Sequence, residues 1–323
     1  MKKIFAVIIS IVLAVMSLFV AAGCFNKADY VVGIVQLVDH VALDAANKGF
    51  QEELTALLKE QGKSVKFLNN SASNDYSTCT TIANTYVSKK VDLILAIATP
   101  AAQAAASVTK DIPILFTAVT NPVIAELVEN WDRPNTNVSG TSDLNPVEKQ
   151  IELITELVPN VKKIAVLYDT DEVNSLYQVE LAENYCNQNN IALVKAGITD
   201  INDLLTKFDL LDDDVQAIYI PTDNTLANGA DSVHSFNKEK KKLPIVCGEI
   251  GMNDKCGVAT YGIDYYQLGR QTGKMAFKIL FEGAKVAEMP VELYENEPTL
   301  KINETVANEL GFKIPQKVLD KQK

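Results

Sequence analysis

The sequence predicts an α/β protein of two similar lobes, each a mainly parallel sheet with helices on both faces. Three observations carry this. Short β-branched apolar runs alternate with amphipathic helical stretches, the signature of β-α-β units. After one such series the alternation restarts at Lys163 and runs for a similar length. The junction between the two series, TSDLNP at residues 141–146, is short and carries no low-complexity linker. With 323 residues, 47% of them hydrophobic, the chain has material for two cores.

In the first series, Tyr30–Leu37 (YVVGIVQL) reads as a buried strand. The following helix puts Leu43, Ala46, Phe50, Leu54, Leu57 and Leu58 on one face and Asn47, Lys48, Glu52, Glu53 and Lys59 on the other. A strand at Val65–Leu68, a helix at 75–89 and a strand at Val91–Ile97 come next. An alanine-rich helix opens at Thr99-Pro100, the strand Pro113–Thr117 follows, and Asn121-Pro122 is expected to open another helix before a strand near 137–141.

The second series starts with Lys163–Tyr168 (KIAVLY) and a helix at 174–189. Strands at 191–195, Val215–Ile220, Leu243–Cys247 and 257–261 alternate with helices near 201–208, from 223, and after Cys247. The helix Tyr265–Phe281 has Leu268, Thr272, Met275, Ala276 and Ile279 on one stripe and stops at Gly283. A strand at Thr299–Ile302 and a helix at 304–310 remain. Two complete lobes have no place for these pieces in sequence order, so the chain is expected to cross between lobes more than once.

The first residues, MKKIFAVIISIVLAVMSLFVAAGC, join a basic start to an apolar run ending on small residues. They read as a secretory signal over residues 1–23. The Ala-Gly-Cys ending resembles a bacterial lipoprotein signal, which makes Cys24 the lipidated residue and 24–29 a tether. Removing Lys2 and Lys3 takes the formal charge from −11 to −13. Such an acidic chain lacks the basic face that a nucleic-acid partner demands. Cys79, Cys186, Cys247 and Cys256 form no CxxC pair and have no nearby histidine, so no metal site is expected. Whether Cys247 and Cys256 are bridged stays open.

Ligands in open α/β sheets bind beyond the carboxyl ends of the strands. There the sequence offers Gln36, Asp39 and His40 after the first strand, then Thr99-Pro100, and then Thr117 to Pro122. Thr-Pro and Asn-Pro junctions cap helix starts, whose free amides suit a carboxylate without any Lys or Arg. The second series contributes Asp169, Asp171, Asn174, then Thr222, Asp223 and Asn224, then Glu249 and Asp264. Acidic groups opposite an anion cradle suit a zwitterion, although Asp and Asn also cap helices in their own right. GxSxG, Walker A and GxGxxG motifs are absent, and His40 has no evident Ser or Cys partner. The reading is a binder with no catalytic residue and no cofactor.

The stretches GIVQLVDHVALDAANKGF, VDLILAIATPAAQAAA, IPILFTAVTNPV, GTSDLNPVEKQIELI, YIPTDNTLA and ATYGIDYYQLGRQTG resemble the substrate-binding lipoproteins of ABC importers whose members bind tryptophan, tyrosine or phenylalanine. The resemblance runs in order from about residue 30 to 312. It implies a periplasmic-binding-protein type I fold: two Rossmann-like lobes, three crossovers, and a ligand closed in the cleft. The first lobe would comprise 30–141 and 263–285, the second 142–262 and 286–323. Thr99, Ala118 and Thr120 would hold an α-carboxylate, and Asp223 or Glu249 would pair with the α-ammonium. Gln36, Asn174 and Asp264 would line the cleft, with Asp39, Pro100, Thr222 and Asn224 beside them. The departures are Asn121, where many relatives carry Asp, and Val41, where Pro is frequent. The implied partners are an amino acid, a membrane permease and the lipid at Cys24, for a monomer on the outer face of the cell membrane. A branched-chain amino acid, nucleoside or sugar on the same fold, or a sensor serving a membrane receptor, are the alternatives.

Overall fold

The computed structural model describes residues 28–322. Cys24 and the signal segment lie outside them. Among the described residues, twelve strands form two six-stranded sheets. The first holds β1 (Tyr30–Gln36), β2 (Val65–Ser71), β3 (Leu93–Ile97), β4 (Ile114–Thr117), β5 (Val138–Ser142) and β11 (Glu292–Leu293). Its order is β11-β5-β4-β3-β1-β2 and every pairing is parallel. The second holds β6 (Lys163–Asp169), β7 (Ala192–Ile198), β8 (Ala217–Ile220), β9 (Ile245–Cys247), β10 (Ala259–Gly262) and β12 (Thr299–Ile302), in the order β12-β10-β9-β8-β6-β7. It is parallel except for β12, which runs antiparallel to β10 along the edge.

The helices in chain order are α1 (Val41–Glu60), α2 (Tyr76–Lys89), α3 (Thr99–Val108), α4 (Val147–Leu157), α5 (Val173–Gln188) and α6 (Leu204–Leu210). They continue as α7 (Asn224–Asn228), α8 (Ala230–Lys240), α9 (Ile250–Asn253), α10 (Tyr265–Leu280), α11 (Glu304–Leu310) and α12 (Gln316–Leu319). Helix α10 returns to the first lobe and packs on α1. The two backbones approach so closely that a side chain at Gly269 would meet the Ala46 carbonyl oxygen at 1.9 Å. The Arg270 guanidinium closes this interface on Glu53 at 2.7 Å.

The core sits where the periodicity put it. Val32, Ile34, Leu93, Ile94, Leu95 and Phe116 are fully buried with Phe50 and Leu54 of α1. The second lobe has an apolar layer on each side of its sheet. Three expectations change. No helix follows Asn121-Pro122; the segment is a run of turns. The Pro122 carbonyl accepts from both Leu127 and Val128, and Glu126 sits in the left-handed region at φ 57°, which breaks a helical run. Helix α4, which the strand reading passed over, buries Ile151, Leu153 and Ile154 in the second lobe. Finally, β11 pairs with β5, so the chain stays with the first sheet through Leu293 instead of leaving it at 286. The three crossovers are thus β5 to α4, β10 to α10, and β11 to β12.

Candidate functional site

The strand ends of the two sheets meet across a cleft bounded by these crossovers. At its centre is a small cavity of about 10 Å³. The first lobe lines it with His40, Leu43, Ala118 and Thr120, the second with Asn174, Thr222, Asp223, Asn224 and Glu249, and the crossovers with Asp143 and Tyr265. Two larger spaces flank it. One of about 500 Å³ lies on the crossover side and shares Glu249 and Tyr265 with the centre. The other, about 420 Å³, lies at the opposite mouth between Asn74, Pro100, Glu172 and Thr225.

The local folding of each strand end explains what faces the cavity. Ala118, left-handed at φ 57°, turns the chain directly after β4 and brings residues 118–120 to the cleft. The Thr120 hydroxyl donates to Asp143 Oδ1 at 3.1 Å, and the Tyr265 hydroxyl donates to Asp143 Oδ2 at 2.7 Å. Asp223 caps α7: its Oδ1 accepts from the Leu226 amide, and its Oδ2 accepts from the Asp169 amide and the Ser175 hydroxyl. Glu249 caps α9 by accepting from the Gly251 and Met252 amides. Glu172 binds the start of α7 through the Asn224 and Thr225 amides, both at 3.0 Å. The Asn174 side-chain carbonyl and the Thr222 hydroxyl are buried at the cavity with no partner.

The electrostatics are one-sided. Asp143, Asp223 and Glu249 line the cavity and Glu172 stands behind Asn174 and Asn224; all four are buried. Among the described residues no Lys or Arg lines the cavity. Burial pushes Glu249 up to about 7, and the nearby Asp254 and Asp143 charges push the same way, against the amides of Gly251 and Met252. Burial also raises Asp143, and it raises Glu172 and Asp223, the latter further by the Glu172 charge. His40 is lowered to about 4 by burial and then by Lys255, so it is a neutral imidazole near pH 7. Uncompensated buried carboxylates are costly, and a cation among them relieves that cost.

Of the residues expected from sequence, Ala118, Thr120, Asn174, Thr222, Asp223, Asn224 and Glu249 meet at this cavity. Pro100 lies at the outer mouth. Gln36 is buried but spends its amide on the Val38 carbonyl and Asp44, inside the first lobe. Asp39 is exposed beside it. Thr99 is buried at the start of α3 and does not line the cavity. Asp264 caps α10 at the Gln267 amide and borders the crossover-side space. Asp143, Glu172 and Tyr265 escaped the sequence reading. Asp143 directly follows β5 and Tyr265 opens α10, so both lie close to strand ends, within crossovers whose path the sequence does not show. Glu172 lies in the acidic loop after β6, beside Asp169 and Asp171, and nothing in its sequence context sets it apart from them.

A two-lobed α/β receptor that closes on a small solute is the class that this fold and cleft define. The family model for ABC transporter substrate binding proteins matches residues 31–323. The chain belongs to that family, a family of solute receptors and not of enzymes, acting outside the cytoplasmic membrane. It is 41% identical over 282 residues to a tyrosine-binding protein of Clostridioides difficile, covering 85% of this chain and 81% of that one. Among solved structures, a domain from Streptococcus pneumonia in complex with L-Trp matches with a TM-score of 0.82 at 37% identity, covering 90% of this chain and 98% of that chain. A ligand-free, open substrate binding protein with adhesive properties from Clostridium difficile matches with 0.67 at 40% identity, over 88% and 96% of the two chains. The ligand-free, open protein thus superposes less well on this chain than the tryptophan complex does, although its identity is slightly higher.

Proposed function

We propose that this receptor closes on an aromatic amino acid, tyrosine or tryptophan foremost, and delivers it to a membrane permease for import. The observation that carries the reading is the ring of buried carboxylates with no Lys or Arg among its lining residues. It suits an ammonium group. The buried, unpartnered Asn174 carbonyl and Thr222 hydroxyl add polar partners beside it. The turn at Ala118 to Thr120 would offer backbone amides to the carboxylate, while the Thr120 hydroxyl is taken by Asp143. The aromatic preference rests on the tyrosine-binding relative and the tryptophan complex. Lipidation at Cys24 would hold the receptor at the membrane.

A thermal-shift screen of protein unfolded and refolded to remove bound solute tests this. Tyrosine or tryptophan at a hundredfold excess over the dissociation constant stabilises by about 2.7 kcal/mol. N-acetyltyrosine, which lacks the ammonium, should give no shift. Equal shifts with both would refute the carboxylate-ring assignment, and a shift only with sugars or nucleosides would refute the amino-acid reading. For the anchor, Cys24→Ser should move the protein from the membrane fraction to the medium.

A further inference from the structure

We propose that Cys247 and Cys256 form an intrachain disulfide when the protein meets an external disulfide oxidant. The bond would tie the two ends of the segment that carries Glu249. Their sulfurs are 3.8 Å apart, nine residues distant in sequence and buried. A disulfide needs about 2.05 Å, so the thiols must close by less than about 2 Å. The two cysteines sit in the same apolar layer of the second lobe, whereas Cys79 and Cys186 lie in two other cores.

The surrounding structure makes room for the pair. Cys247 ends β9 and Cys256 follows α9. Gly257 leaves open the space beside Cys247, where a side chain would come within 2.7 Å of the sulfur. The Thr260 hydroxyl holds the Cys247 carbonyl at 2.5 Å and fixes its backbone. Between the cysteines lie Glu249, at the central cavity, and Gly251, whose position faces Val41 of the other lobe. A bond here closes a ring around the part of the second lobe that meets both the cavity and the opposite lobe.

The chemistry is thiol–disulfide exchange. One cysteine thiolate attacks a sulfur of the oxidant disulfide and releases one thiol. The second cysteine then attacks the mixed disulfide and releases the other thiol. The protein loses two protons and two electrons, and the oxidant disulfide takes them up to become two thiols. An extracytoplasmic location is the setting in which such bonds persist. Burial and the neighbouring Cys256 raise the Cys247 thiol well above its ordinary range, which starves the folded protein of thiolate. Closure therefore precedes folding or passes through local opening of residues 248–255.

The test uses the full chain, refolded in a glutathione disulfide/thiol buffer, denatured, alkylated with iodoacetamide and digested with trypsin. Peptides 243–255 and 256–270 are expected to stay joined until reductant is added, with Cys79 and Cys186 alkylated. Cys256→Ser should abolish the joined species and leave Cys247 alkylated. The wild-type protein should melt a few degrees, about 4 °C, higher oxidised than reduced. Separate peptides with both cysteines alkylated, or each carrying glutathione, would overturn the proposal. The labelling of the wild-type chain decides this even if the variant folds poorly, and it does not depend on which solute binds.

Discussion

The Tyr265 hydroxyl donates to Asp143 Oδ2 at 2.7 Å and joins two of the three crossovers at the floor of the cleft. Asp143 follows β5 and Tyr265 opens α10, so this hydrogen bond links the two segments that must bend when the lobes part. Tyr265→Phe removes the donor and leaves Asp143 with the Thr120 hydroxyl and its own backbone amide. Affinity for the amino-acid ligand is expected to fall about ten- to hundredfold, in line with about 1–3 kcal/mol for stranding a buried acceptor. Calorimetric titration measures it; unchanged affinity would remove this contact from the binding machinery.

Glu249 makes binding depend on pH. Its carboxyl ionises near 7 in the ligand-free protein, and pairing with an ammonium favours the ionised form. As pH falls below about 7 the ligand must displace a proton, so affinity should weaken about tenfold per pH unit between 7 and the ligand-bound pKa. Folding stability moves the opposite way. A raised carboxyl pKa means that the ligand-free fold loses stability as pH rises from about 4.5 to about 7. Glu249→Gln should flatten the affinity profile between pH 5.5 and 8; an unaltered slope would assign the proton elsewhere.

Closure depends on the missing side chain at residue 251. A Cβ there would lie 3.1 Å from Glu249 Oε2 and 3.3 Å from Val41 Cβ on the opposite lobe. Gly251→Leu should prop the lobes apart, lower affinity by at least about tenfold (about 1.4 kcal/mol), and leave the melting of the ligand-free protein nearly unchanged. Small-angle scattering with saturating ligand should show a larger radius of gyration than for the wild-type complex. Equal radii would show that this contact does not limit closure.

At the outer mouth, Asn74 Nδ2 donates to Thr225 Oγ1 at 3.2 Å, one lobe to the other. Thr225 is in turn held by Glu172 through its amide. Asn74→Ala should leave association nearly unchanged and speed ligand release about two- to tenfold, as expected for one partly buried hydrogen bond of about 0.5–1.5 kcal/mol. Stopped-flow fluorescence separates the two rates. A slower association with unchanged release would place the contact in the open state instead.

The sequence by itself determined the two-lobed α/β plan, because short continuous apolar runs and 3.6-residue stripes are local properties that survive without a partner. Lys163–Tyr168 announces a strand, and Leu43, Phe50 and Leu54 announce a helix face, whatever packs on them. It also placed Ala118, Thr120, Asn174, Asp223 and Glu249 near one site, because strand ends in parallel sheets converge. It failed at Asn121-Pro122, where a good cap leads only into turns once Glu126 takes a left-handed conformation. Only the tertiary structure decided that Gln36 serves the first lobe internally, that Glu172 binds α7, and that Asp143 meets Tyr265 across 122 residues of chain. Those pairings join positions with no common period. They exist because the crossovers bring distant segments to one buried point, where a carboxylate removed from water must find a donor.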